Sequence, residues 1–211
     1  MCGRFQLESD IKELIKTYNI ENQKIEVYDK GDFYPSQNAP IIIQDNRRSL
    51  KTAKWGFELK DKKKLVINAR AETIMTKPMF KNSIHTARCI VPANLFYEWK
   101  DEGGNKKVKY GIKSKNDSLL SLGGVYKIYL DENLEKRLKF VIITTAADDN
   151  IRDIHSRMPL FIKDNQVDYW LNRNTPIKFI EEIINSNKGI QFVIKRYPDD
   201  DNKPYEQLKM F

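Results

Sequence analysis

Between residues 88 and 145 the chain carries stretches of apolar, β-branched and aromatic residues at 88–92, 95–100, 107–113, 119–130 and 138–145, separated by short polar turns. Each stretch has strand length, and the turns at Asp101–Asn105 and Lys115–Asp117 are too short for the crossover that a parallel return needs. This stretch therefore predicts neighbouring antiparallel strands. Gly123-Gly124 interrupts one of them and marks either a bulge or a close backbone approach. Upstream, Ile41-Ile42-Ile43 reads as a buried strand, Asn46–Ser49 as a hairpin turn into a strand ending at Trp55, and Leu65-Val66-Ile67 as another strand. Asp32 to Pro40 reads as an irregular segment with two prolines, and Lys60 to Lys64 as a solvated turn.

Helical periodicity is confined to the flanks. Leu7, Ile11, Leu14, Ile15 and Tyr18 predict an amphipathic helix over 8–19. Thr175-Pro176 predicts the start of a second helix running to Asn185, with Gly189 near its stop and a last strand from Ile190 to Tyr197. The expected fold is mixed α+β: a strongly bent, mainly antiparallel sheet curling towards a barrel and flanked by helices. With 211 residues and no linker or repeat, one domain is expected over 1–197, with a polar tail over 198–211.

Charge and cysteine usage narrow the function. A net charge of +8 points to an anionic partner, nucleic acid first, or else to a surface made soluble by lysine. Two cysteines, Cys2 and Cys89, and two histidines, His85 and His155, exclude a disulfide scaffold and give no metal-binding spacing. No metal and no cofactor are expected. There is neither an apolar run long enough for a membrane span nor a hydrophobic N-terminal signal, so a cytoplasmic protein with reduced thiols is expected.

Four places hold groups that a core does not need. Removal of Met1 would leave Cys2 with an α-amine and a thiol two carbons apart. Such a 1,2-aminothiol condenses with an aldehyde to an imine, which the thiol then closes to a five-membered thiazolidine; Arg4 could hold an anion beside it. Asn68, Arg70 and Glu72 fall on one face if the strand continues through them, which suits an oxygen-rich substrate or an ordinary salt-bridged strand end. Glu98 lies among Phe96, Tyr97 and Trp99: burial there would raise its pKa for proton transfer, whereas an outward-facing glutamate would be inert. Finally, Thr144-Thr145-Ala146-Ala147 ends a strand, and His155-Ser156-Arg157 returns towards it, with His155 a general acid or base or simply structural. Trp55-Gly56-Phe57 reads either as a wedge that stacks on bases or as core. Cys89 reads as a buried strand residue.

Taken in order, Met1-Cys2-Gly3-Arg4-Phe5, Trp55-Gly56, Asn68-Ala69-Arg70-Ala71-Glu72, Pro92-Ala93-Asn94 with Phe96-Tyr97-Glu98-Trp99, and Thr144-Thr145-Ala146-Ala147 with His155-Ser156-Arg157-Met158-Pro159 resemble the SRAP family, the SOS-response-associated proteins that process abasic sites. The resemblance implies binding to abasic sites in single-stranded DNA and at single-strand/double-strand junctions. It also implies a thiazolidine cross-link between Cys2 and the ring-opened abasic aldehyde. On the matching positions, Asn68 would orient the sugar or amine, His155 would help open the deoxyribose ring, and Glu98 would serve the imine and thiazolidine steps. Arg4, Arg70 and Arg157 would clamp phosphates, Trp55 and Trp99 would contact DNA, and Thr144 and Ser156 would support His155 or a phosphate oxygen. Weak abasic-site lyase activity and release of Met1 by the protein itself are implied as side reactions. Asp32, in Asp32-Phe33-Tyr34-Pro35-Ser36-Gln37, departs from the amide usual in the family and would repel a phosphate. A monomer associated with the nucleoid when bound to damaged DNA is expected. Two other readings fit the residues: an N-terminal-nucleophile hydrolase using Cys2, and a non-covalent single-stranded DNA-binding module.

Overall fold

A computed structural model of the chain describes residues 2–21, 27–59, 62–103, 107–186 and 189–197. The first half contains β1 (Phe5–Leu7), α1 (Ile11–Tyr18), β2 (Gly31–Phe33), β3 (Asn38–Gln44), β4 (Arg48–Trp55), β5 (Phe57–Leu59), β6 (Lys62–Val66) and β7 (Asn68–Arg70). Then come α2 (Ala71–Ile74), α3 (Pro78–Thr86), β8 (Arg88–Ala93), β9 (Leu95–Asp101), β10 (Lys107–Ser114), β11 (Leu120–Leu130) and β12 (Lys136–Ala146). The chain continues through α4 (Asp149–Arg152), β13 (Arg157–Pro159), α5 (Val167–Leu171), α6 (Ile177–Asn185) and β14 (Phe192–Arg196).

Five of these strands close a ring. Their order is β11-β8-β3-β4-β12, and β12 pairs back onto β11. All contacts round the ring are antiparallel except β4 with β12, where Lys54 and Trp55 lie beside Lys139 and Phe140. The barrel expected from the strand pattern is therefore present, with two parallel seams on β12, one to β4 and one to β7. Its strands are buried on both faces, so they read as unbroken apolar runs such as Ile41–Ile43, Cys89–Val91 and Phe140–Ile143. Burying each large aliphatic side chain contributes about 1.5–3 kcal/mol.

A second sheet, β14-β10-β9-β1-β2, leans on the ring. The chain passes from one sheet to the other at Asn94, between β8 and β9. The Asn94 carboxamide accepts from the Glu8 and Ser9 amides at 2.6 and 3.1 Å and donates to Ser9 Oγ and the Ser118 carbonyl at 3.0 and 2.8 Å. It thus ties the end of β1 to the corner from which β9 sets out. Phe5, on β1, stacks on Phe33 (5.2 Å between centroids) and packs against Trp55 (5.3 Å), which stacks on Phe140 (6.0 Å). That aromatic column fixes the N-terminal strand to the barrel.

Gly56 makes the column possible. Its φ is +117°, and a Cβ there would come within 2.4 Å of the Leu65 side chain. Only glycine lets the chain turn out into the β5–β6 hairpin directly after Trp55 has turned in. At Gly123 and Gly124 the ladder to β8 keeps its register, so these glycines form no bulge. They mark a close approach: a Cβ on Gly123 would meet Leu160 at 2.9 Å, and one on Gly124 the Val141 carbonyl oxygen at 2.9 Å.

The helices sit outside. Asp10 caps α1 by accepting from the Glu13 amide at 2.9 Å, and Asn19, in the left-handed region, ends it. α3 begins with Pro78 in its first turn and buries Phe80, Ser83 and Ile84. Arg88 closes its other end. The buried guanidinium donates to the carbonyls of Ile84, His85, Trp170 and Asn172 at 2.6–2.9 Å, knitting α3 to α5.

Several expectations need correction. The α6 cap is Pro176; Thr175 instead donates its hydroxyl to the Tyr169 carbonyl at 2.7 Å. The charged stretch expected as a turn over Lys60–Lys64 already belongs to β6 from Lys62, while Lys60 and Asp61 lie outside the described residues. The last strand is shorter than expected, Phe192–Arg196, and the 198–211 tail lies outside the described residues. Among the described residues no helix is long and apolar enough to cross a membrane, and no group of His, Cys, Asp and Glu could hold a metal ion.

Candidate active site

β1, β7, β9 and β13 bring the candidate catalytic residues to the junction of the two sheets. The ladder between β1 and β9 continues one step past the named strands, since the Tyr97 amide donates to the Arg4 carbonyl at 2.9 Å. Glu98 follows immediately on β9. From the other side, Asn68 donates its amide to the Cys2 carbonyl at 3.1 Å. Cys2 is wholly buried, its thiol 3.8 Å from the Arg4 carbonyl.

The electrostatics suit proton transfer at Glu98. Burial pushes its carboxyl up to about 7, while positive charge at the chain's amino end draws it down. Of the two readings open for Glu98, the buried one holds: the residue is 1% exposed. Burial also pushes the Cys2 thiol well above its ordinary value, and the nearby Glu98 carboxylate adds to the shift. In this arrangement Cys2 is a thiol, and Glu98 is the group poised to change protonation near neutrality.

His155 is half-buried, and burial together with surrounding positive charge brings its pKa down to about 4. The Arg157 amide donates to His155 Nδ1 at 3.0 Å. The same nitrogen lies 3.2 Å from the Arg157 carbonyl, so the backbone of Arg157 holds the ring through Nδ1 whichever tautomer it takes.

The three arginines, two tryptophans, Thr144 and Ser156 expected to touch DNA divide sharply. Arg70 is exposed at the end of β7, and Ser156 is exposed beside His155. Trp99 is half-buried on β9. Arg4, expected as a phosphate clamp, is 6% exposed and engaged inside the protein. Its Nε and Nη2 both donate to Asp32 Oδ2, and its guanidinium lies between the Tyr34 and Tyr97 rings, 4.8 and 4.7 Å from their centroids. Arg157 forms a two-pronged pair with Glu72 and also donates to the Thr144 carbonyl and hydroxyl.

Two expectations fail on burial. Trp55 is 0% exposed, with its indole N–H donating to the Ile67 carbonyl at 3.0 Å, so it is a core ring and not a base-stacking wedge. Thr144 is likewise 0% exposed and serves Arg157, so it contacts no phosphate in this arrangement. The common face expected for Asn68, Arg70 and Glu72 is also corrected: the strand ends at Arg70, and Glu72 sits in α2, where it meets Arg157.

Reading the sequence missed how Arg4 is held. Tyr34 and Tyr97 were both present in the motif segments, but their partnership depends on β1 lying between β2 and β9. Lys109 was missed as well; it is buried at 4% exposure with its ammonium 5.5 Å from the Tyr97 ring centroid. No local signal marks it, because it meets Trp99 only across the β9–β10 ladder.

A family model described as SOS response associated peptidase (SRAP) matches residues 1–198. The chain belongs to that family. The abasic site processing protein YoqW of Bacillus subtilis is 35% identical over 193 residues, covering 87% of this chain and 86% of that protein. The abasic site processing protein YedK of Escherichia coli is 28% identical over 191 residues, covering 87% and 85%. Among solved structures, a Bacteroides thetaiotaomicron protein shares the fold with a TM-score of 0.79 at 23% identity, over 94% of this chain and 93% of that one.

Proposed function

We propose that this family member processes abasic sites in DNA, and that Cys2, freed as the N-terminal residue by removal of Met1, caps the lesion covalently. The single observation that carries the reading is the meeting of buried Cys2 with Asn68 and with a Glu98 carboxyl that titrates at about 7. The names of the relatives, abasic site processing proteins, supply the substrate class.

The chemistry balances with these groups alone. The Cys2 amine adds to the C1′ aldehyde of the ring-opened deoxyribose, and the resulting carbinolamine loses its hydroxyl as water to give an imine. The thiol sulfur then adds to the imine carbon while its proton passes to nitrogen, closing the thiazolidine with one water lost overall. Glu98, populated in both forms near neutrality, protonates the departing hydroxyl and relays the thiol proton. His155, neutral near pH 7 and held by the Arg157 backbone, assists opening of the sugar ring. Asn68 holds the Cys2 backbone so that amine and thiol reach the same carbon. Exposed Arg70 and Ser156, with half-buried Trp99, are the groups for the flanking strand, at single-stranded DNA or at a junction with duplex. Hydrolysis of the imine after strand incision would give weak lyase activity.

The test is a denaturing gel with Met1-free protein and single-stranded DNA bearing one abasic site. A slow band that needs no borohydride, and that is lost on Cys2→Ala or after methoxyamine capping, is the expected result. DNA binding without that band would rule the cross-link out. The family's description as a peptidase favours one further reaction, release of Met1 by the protein itself; intact mass of a Glu98→Gln protein made without an aminopeptidase tests it.

A further inference from the structure

Across the second sheet, from the end of β2 to the end of β14, cations and aromatic rings alternate. The Arg4 guanidinium lies 4.8 Å from the Tyr34 ring centroid and 4.7 Å from that of Tyr97. The Lys109 ammonium follows, 5.5 Å from Tyr97 and 5.9 Å from Tyr197, and the Lys195 ammonium ends the series, 5.7 Å from Tyr197. Tyr197 also meets Tyr97 directly, edge to face, with centroids 5.6 Å apart and planes at 87°. A cation over a ring and a ring edge against a ring face are both attractive, because each sets positive charge against the negative face of a π-system. Tyr97 and Glu98 are consecutive on β9 and so face opposite sides of the sheet. The series therefore lies on the side of β9 away from the Glu98 carboxyl.

Pairing of β14 does not require the Tyr197 ring. Five residue pairs, from Ser114 with Phe192 to Tyr110 with Arg196, already join β14 to β10, and Tyr197 lies one step beyond them. Its ring is seated over Gly111, the residue of β10 opposite Tyr97, where a Cβ would come within 2.5 Å of Tyr197 Cε2. A glycine inside a strand weakens it and offers nothing to pack, and such a glycine marks a close approach. Here the bare position lets the Tyr197 ring reach Tyr97. At the far end of the series stands Cys2. The Arg4 carbonyl accepts from the Tyr97 amide at 2.9 Å and lies 3.8 Å from the Cys2 thiol. β1 is in register with β9 at only two pairs, Phe5 with Phe96 and Gln6 with Leu95, so the place of Cys2 depends on how firmly Arg4 is held.

We propose that Tyr197 is a positioning residue for Cys2: its ring braces Tyr97 across Gly111, Tyr97 braces Arg4, and Arg4 sets the place of the N-terminal nucleophile. The proposal rests on the reading of Cys2 as that nucleophile. It gives the last strand of the fold a part in a reaction at the first residue, although Tyr197 touches no reacting atom. Orientation of two groups towards one carbon is the part of a ring closure most sensitive to small displacements.

The test measures single-turnover cross-linking of full-length, Met1-free protein to abasic single-stranded DNA, beside hydrogen exchange of the backbone amides. Tyr197→Leu should lower the maximal rate about tenfold, as small misplacements of reacting groups do, and leave the half-saturating DNA concentration unchanged. Tyr197→Phe keeps the ring and should restore the parent rate. Gly111→Ala displaces the ring and should match Tyr197→Leu. In both slow variants the Tyr97 amide should exchange about fivefold faster. The Ile142 amide, bonded to the Ile67 carbonyl in the barrel, should exchange as in the parent. A parent rate in Tyr197→Leu would overturn the proposal, as would a slow Tyr197→Phe. Raised half-saturation with an unchanged maximal rate would also overturn it, in favour of a direct DNA contact. Faster exchange at Ile142 as well would reduce Tyr197 to a general stabiliser and overturn it too. A parent that forms no cross-link would remove the covalent reading; faster Tyr97 exchange in Tyr197→Leu would then still support the brace on Arg4, and unchanged exchange would overturn it.

Discussion

Asn68 and Cys2 are joined by a hydrogen bond from the Asn68 amide to the Cys2 carbonyl at 3.1 Å, and Asn68 Oδ1 is buried without a hydrogen-bond partner among the described residues. The bond constrains Cys2, whose amine and thiol must reach one carbon in the proposed cross-link. Asn68→Ala should slow cross-linking about tenfold or more, since orientation accounts for much of the rate of such a ring closure. Stability should change by only about 0.5–1.5 kcal/mol, the net value of one hydrogen bond. Single-turnover gels and urea unfolding on the same samples separate the two effects.

Glu98 links rate and stability to pH. Its folded pKa of about 7 exceeds its ordinary value of 4.5, so between those values the folded protein binds more protons than the unfolded chain. Stability therefore falls as pH rises through that window, by on the order of 3 kcal/mol in total, and does not recover above it. Glu98→Gln should remove this dependence and raise the melting temperature near pH 8, while abolishing the break near pH 7 in the cross-linking rate. His155, neutral down to a pKa of about 4, should contribute no break near pH 6.5. A melting profile unchanged by Glu98→Gln would contradict the buried carboxyl.

Trp55 and Trp99 should behave oppositely. Trp55 belongs to the aromatic column with Phe5 and Phe140, so Trp55→Ala should cost about 3–5 kcal/mol and affect DNA binding only through folding. Trp99 is half-buried on β9, and Trp99→Ala should weaken single-strand binding by about 1–3 kcal/mol with little effect on unfolding. Denaturation curves beside anisotropy titrations distinguish the two residues.

The contrast between these tryptophans also marks how far the sequence could be read. The barrel strands were legible because both of their faces are buried, which leaves unbroken runs such as Ile41–Ile43; α1 was legible because only one face is. α3 was not, because its short apolar set of Phe80 and Ile84 sits among polar residues and its C-terminal carbonyls are satisfied by Arg88 and not by a local signal. Glu98 could be read as buried or outward-facing among its aromatic neighbours, and its 1% exposure decides between them. Trp55 could be read either way from Trp55-Gly56-Phe57, and only the positive φ of Gly56 decides that the ring turns inward. The fate of Arg4 depended on Asp32, 28 residues away, and on β1 sitting between β2 and β9. Neither is local.

That placement makes Arg4 a strut whose fork geometry matters. One guanidinium is held edge-on by Asp32 Oδ2 through Nε and Nη2 and face-on by Tyr34 and Tyr97. A lysine keeps the charge but offers neither the paired N–H groups nor a planar surface to stack between two rings. Arg4→Lys should therefore destabilise the protein by about 1–3 kcal/mol, the loss expected when charge-assisted hydrogen bonds at a buried group are broken. Arg4→Ala, which strands the Asp32 carboxylate, should cost about 3–5 kcal/mol. Asp32→Asn with Arg4→Ala should recover part of that loss, because the stranded charge is gone. Urea unfolding of the parent, Arg4→Ala, Asp32→Asn and the double variant measures the coupling directly, and additive single-variant losses would mean that the two side chains do not stabilise each other.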